Sequence, residues 1–123
     1  MKKFSEIEYV RPDMEVEKEK IGAYTEALKN VKSYEELRGL FMEEKEREDV
    51  WATMAEVAQV RYTVDTRDSF YEGEVQFWNE TVPAIRLLMQ KAEKVILESP
   101  FIKEFAGEFG DFFVKNMEVG QKL

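Results

Sequence analysis

The sequence predicts an all-α domain of four to five helices in antiparallel hairpins, with a long central helix near 34–64 and a proline-kinked helix near 67–98. Three observations predict this. Apolar residues recur at spacings of three, four and seven along most of the chain. Only three prolines interrupt it, at positions 12, 83 and 100, and two of them adjoin the helix-start residues Asp13 and Ser99. No apolar–polar alternation of useful length argues for a strand.

Residues 1–11 are a short leader, whose Phe4, Ile7 and Tyr9 are expected to lie extended across the helical body. Arg11-Pro12-Asp13 is a start signal, because proline tolerates a first helical turn and aspartate favours the positive end of the helix dipole. The stripe Met14, Ile21, Tyr24, Leu28 and Val31 then predicts a first helix over about 13–31. Ser33-Tyr34-Glu35-Glu36 has the form of a capping box, so a second helix should begin at Tyr34. Its first half gathers Tyr34, Leu37, Leu40 and Phe41 on one face, and Glu43 to Asp49 is then almost wholly charged. That run is either an exposed stretch of the same helix or a break. From Trp51 the helix is apolar on both sides, with Trp51, Met54, Ala55, Ala58 and Tyr62 opposite Val57, Val60 and Val64. A helix of this kind is surrounded by protein, which places 50–64 at the centre of the domain.

Thr66-Arg67-Asp68-Ser69 supplies turn and cap chemistry for a third helix from about residue 67. Its stripe runs from Phe70 and Tyr71 through Phe77 and Trp78 to Ile96, and Pro83 should kink or split it. Ser99 is the expected N-cap of a last helix with Pro100 at its first position. That helix would carry Phe101, Phe105, Phe109, Phe112 and Phe113 along one side and Gly107 and Gly110 on the other. The stripe reads first as core, with a partner or a following segment as the alternative.

A chain of 123 residues reads as one helical domain, 1–123, and such a domain buries roughly two-thirds of its unfolded surface. An apolar fraction of 44% with nine Phe, five Tyr and two Trp is enough to fill a core. The formal net charge of −8 argues against a nucleic acid or an anionic membrane as partner, since both require a positive footprint. No stretch approaches the ~20 apolar residues of a membrane span. Met1-Lys2-Lys3 is followed by Phe4-Ser5-Glu6-Ile7-Glu8, which provides no apolar signal segment, so a cytoplasmic location is expected. The chain contains no histidine and no cysteine. That removes Ser-His and Cys-His nucleophile pairs, HExxH zinc helices and ExxH di-iron sites. We therefore expect no catalytic residue, no metal ligand set and no cofactor in this chain.

The most unusual side chain is Glu74, a carboxylate in the middle of an apolar stripe between Phe70, Tyr71, Phe77 and Trp78. Buried alone it would cost several kcal/mol, so it is either ion-paired or protonated. Arg61 is the expected partner if the second and third helices form a hairpin turning near 66–68. Arg61, Asp65 and Asp68 would share a face if the second helix persists that far. With Tyr62 and Tyr71, these residues form a polar network that is either structural or the wall of a ligand channel. Acid–base work by the group would lack a nucleophile and an electrophilic stabiliser. The carboxylate pairs Asp68/Glu72 and Glu104/Glu108, four apart, read as solvated faces rather than metal sites.

Taken in order, Trp51-Ala52-Thr53-Met54-Ala55, Val60-Arg61-Tyr62-Thr63-Val64-Asp65-Thr66-Arg67-Asp68, Phe70-Tyr71, Glu74 and Pro83 resemble the N-terminal region of the oligoendopeptidase F family, zinc metallopeptidases related to thimet oligopeptidase. Phe4-Ser5-Glu6-Ile7 with Arg11-Pro12-Asp13, and Glu98-Ser99-Pro100-Phe101 leading to Phe109-Gly110, are similar to that family in the same order. The resemblance covers essentially the whole chain. It implies a helical, non-catalytic region of a larger, mostly cytoplasmic enzyme that encloses a channel and hydrolyses oligopeptides. The family's zinc is held by the histidines of HExxH and a downstream glutamate, none of which is in this chain. The implied partners are the remainder of the peptidase, docked through the Phe101–Phe113 face, and oligopeptide substrates. The alternative is an autonomous helical interaction module, dimerised through that same face.

Overall fold

The computed structural model describes residues 6–122, so Phe4 of the leader and the Met1-Lys2-Lys3 start lie outside the described residues. Five helices and, among the described residues, no strand make up the fold: α1 (Met14–Lys29), α2 (Tyr34–Val64), α3 (Ser69–Glu98), α4 (Ile102–Phe109) and α5 (Asp111–Gln121). The fold is all-α, as the periodicity predicts.

Local chemistry sets most of the ends. Asp13 accepts hydrogen bonds from the Glu15 and Val16 amides and starts α1. Ser33 Oγ accepts from the Glu36 amide at 3.2 Å, while the Glu36 carboxylate reaches back to the Lys32 amide, one residue earlier than in a standard capping box. Asp68 accepts from the Phe70 and Tyr71 amides, so α3 begins two residues later than expected. Ser99 does not cap α4 directly. Its Oγ accepts from the Phe101 amide and its carbonyl from Ile102, a tight turn that holds Pro100 ahead of the helix rather than in it.

Of the alternatives left open at two places, the structure takes the continuous one in each. The charged run 43–49 continues α2 without a break, and α3 passes unsplit through Pro83. Proline deprives the Asn79 carbonyl of its helical donor, but Asn79 is exposed and water can supply one. One interruption was unforeseen. Gly110, at φ 97° and ψ 149°, divides the last element into α4 and α5.

The packing hub is α3, which touches each of the other four helices. It joins two apolar clusters. In the first, Leu28 of α1 and Leu37 of α2 meet Ala92 and Ile96 of α3, Phe105 of α4 and Met117 of α5. In the second, Ile21, Trp51, Ala58 and Trp78 meet, with Tyr9 of the leader packed against them. The 50–64 segment is covered less than its two-sided pattern implies: Val57 is buried, but Val60 and Val64 are 44% and 82% exposed.

The phenylalanine stripe is also redistributed. Phe105 is fully buried, and Phe101, Phe109 and Phe113 pack beside it, with Phe41 of α2 among the rings at centroid distances of 4.9–6.0 Å. Phe112 points outward and is 78% exposed. In one continuous helix Phe105, Phe109 and Phe112 would share a face. The turn at Gly110 resets the helical phase and brings Phe113 inward in place of Phe112.

Candidate functional site

The polar network sits where the leader crosses the α2–α3 hairpin. Residues 6–10 alternate outward and inward, so Ile7 and Tyr9 face the helices. Val10 donates its amide to the Met54 sulfur at 3.3 Å and ties the strand-like segment to α2.

Glu74 is buried and ionised, but Arg61 is not its partner. Its Oε1 accepts from the Tyr9 hydroxyl at 2.6 Å and from Arg11 Nε at 2.9 Å, and its Oε2 pairs with Arg11 Nη2. This is a bidentate arginine–carboxylate fork, the geometry in which such pairs are strongest. The Arg11 guanidinium lies 4.0 Å from the Phe77 ring centroid, and Trp78 Nε1 donates to the Tyr9 hydroxyl at 3.1 Å. Arg11 holds the Glu74 carboxyl below the usual carboxylate range, against the opposing effect of burial and with help from Tyr9. Tyr9 is pushed up to about 12, first by burial and then by its bond to Glu74.

Arg61 does a parallel task one turn away. Its Nη1 donates to the Tyr71 hydroxyl at 2.9 Å and its Nη2 to the Ile7 carbonyl, so it clamps the leader backbone. Asp65 and Asp68 do not join it. Helix α2 ends at Val64, so the shared face does not extend to them. Asp65 caps α2 and pairs with Arg67, and Asp68 caps α3. Tyr62 is half-buried and makes no hydrogen bond to the other five.

Tyr9 and Arg11 were missed as site residues because Arg11-Pro12-Asp13 is legible as a helix start. Ile7, Tyr9 and Arg11 share a two-residue spacing, and this signal could have placed all three on the inner side of an extended leader. Beside the latch, a groove of about 360 Å³ runs between α2 and α3, lined among others by Gln59, Trp78, Asn79, Pro83 and Arg86. Among the described residues, no three acidic groups are placed to hold a metal ion, and with no imidazole or thiolate in the chain these residues do not fit a zinc ion.

A helical body closed by its own leader, with its interior carboxylate ion-paired, defines a small all-α domain of hairpin type. The chain belongs to the family described as the peptidase M3 N-terminal domain, whose sequence pattern matches residues 4–123. It is similar in structure to PZ peptidase A with an inhibitor, with a TM-score of 0.92 and 28% identity over 98% of this chain. Two structures described as oligoendopeptidase F are also similar. One has a TM-score of 0.93 and 27% identity over 99% of this chain. The other, from Bacillus anthracis str. Ames, has a TM-score of 0.92 and 30% identity over 96%. The chain spans only 21–22% of the length of these three proteins. No match is found among curated proteins.

Proposed function

We propose that this domain is the non-catalytic N-terminal part of a zinc-dependent oligopeptidase and forms part of the wall of its substrate channel. The observation that carries the reading is the near end-to-end overlay on a fifth of each peptidase structure, combined with membership of the family's N-terminal domain. The chain's own chemistry fits a supporting role. Its interior carboxylate is held by Arg11 and Tyr9 rather than poised for proton transfer. The latch fixes the α2–α3 hairpin, and with it the groove flanked by Trp78 and Pro83, which we assign to the channel side. Bond breaking falls to residues outside this chain, and the partner is the remainder of the peptidase. The inward packing of Phe101, Phe105, Phe109 and Phe113 leaves Phe112 as the one ring of that stripe presented for docking, and weakens a dimer built on the stripe.

The test is to read the coding sequence beyond Leu123 and to assay the chain with zinc. A downstream HExxH and no peptide hydrolysis by the 123-residue chain are expected. A stop codon without that motif, or zinc-dependent cleavage by the pure chain, overturns the reading.

A further inference from the structure

A cavity of about 50 Å³ lies where α1, α2, α3 and α5 meet. Helix α2 lines it with Glu44 and Glu48, one turn apart, α3 with Glu93, α1 with Tyr24, and α5 with the uncharged Phe113 and Met117. The charged run expected to be solvated therefore turns one face inward, and Glu44 is 1% exposed. Its Oε2 pairs with Arg47, but its Oε1 has no hydrogen-bond partner, and neither has the Arg47 Nε. Lys45, the cation on the lining, is drawn over the Phe113 ring, 5.9 Å from its centroid. A buried carboxylate oxygen without a donor is costly. Since the described acidic groups do not assemble a metal site, the smallest cation, the proton, is the one this cavity suits.

We propose that the cavity is a proton-binding site, in which a proton taken up by the Glu48 and Glu93 carboxyls as the four helices close relieves the negative charge gathered around the unpartnered Glu44 oxygen. The surrounding groups act in that direction. Burial pushes Glu48 up, reinforced by Glu93 and Asp49 and opposed by Lys45 and Arg47. Burial alone pushes Glu93 up. The Tyr24 hydroxyl is raised by burial and by the same two glutamates, so it stays protonated and neutral and offsets none of their charge. A carboxyl that binds its proton more tightly in the fold lowers stability as pH rises from its unfolded value through its folded one. The site therefore favours the folded state on the acid side of neutrality.

Two measurements on the 123-residue chain test this. In a carbon-13 carboxyl NMR titration, Glu48 and Glu93 should titrate above the ordinary glutamate value of about 4.3. Thermal melts of Glu48→Gln and Glu93→Gln should show higher midpoints than the parent near neutral pH, by roughly 3–6 °C, with the gap closing toward about pH 5. Both carboxyls titrating at or below the ordinary value overturns the proposal. So does a pair of variants that both melt at or below the parent near neutral pH.

Discussion

The two apolar clusters close the bundle by different physics. At the α4–α5 end the seal is hydrocarbon: Phe105 is fully buried among Phe41, Phe109 and Phe113, with Leu37 and Ile96 behind them. At the hairpin end it is a strand-like leader, held through Tyr9, Arg11 and Arg61 around a buried Glu74. Apolar packing is non-directional and depends little on pH. The latch is directional, needs a charged carboxylate and depends on which arginine arrives. The hydrocarbon contacts at the first end therefore carry little pH dependence of their own, which leaves it to the Glu48 and Glu93 carboxyls beside them, whereas the latch is specific in its partners and sensitive to acid.

The largest expected effect tests the apolar seal. Phe105→Ala should destabilise the domain by about 3–5 kcal/mol in denaturant unfolding, the usual cost of emptying a phenylalanine site. A loss below about 1 kcal/mol would show that α4 is not part of the cooperative core. The corresponding break in the latch, Glu74→Ala, should cost about 2–4 kcal/mol, reduced from a fully buried pair because Arg11 is 47% exposed. A double-mutant cycle sharpens this prediction. Arg11 and Glu74 should couple by about 1–3 kcal/mol, and Arg61 and Glu74 by less than about 0.5. The reverse order would restore the pairing expected from sequence.

Acid separates the ends further. The Glu74 carboxyl is held below its unfolded value, so its contribution is complete above about pH 4.3 and is lost as pH falls through the folded value. Glu74→Gln should accordingly flatten the acid limb of a midpoint-against-pH curve, and an unchanged limb would assign acid sensitivity elsewhere. At the apolar end, Gly110→Ala should cost about 1–3 kcal/mol, because φ 97° with ψ 149° is a conformation open essentially to glycine. The smallest effect should come from Phe112→Ala, within about 0.5 kcal/mol in the 123-residue chain, since its ring is already in water. A larger loss would mean that the ring is covered in solution.

The helices were legible because their signals are local. Asp13, Ser33 and Asp68 each bond amides two or three residues ahead, and no distant residue can revise that choice. Glu74 was recognisable as a charge in an apolar stripe, and its need for a partner followed from desolvation alone. The partner's identity was not recoverable from helical height, because the leader, which has no helical phase, competes for the same space. The cavity of Glu44, Glu48 and Glu93 was illegible for a related reason. A run of charges reads as solvated, whereas the helical period turns every fourth residue toward whatever packs there.

By itself, then, the sequence determined an all-helical chain, the places where most helices start, the lack of any imidazole or thiolate chemistry, and a carboxylate that demanded either an ion pair or a proton. Tertiary structure decided that Arg11 meets Glu74, that α3 is the hub, that Gly110 turns Phe113 inward and Phe112 outward, and that part of the charged run is buried. The division has one physical cause. Hydrogen bonding and periodicity within a helix are fixed over a few residues, while ion pairing and burial depend on distances between segments that only the packed chain establishes.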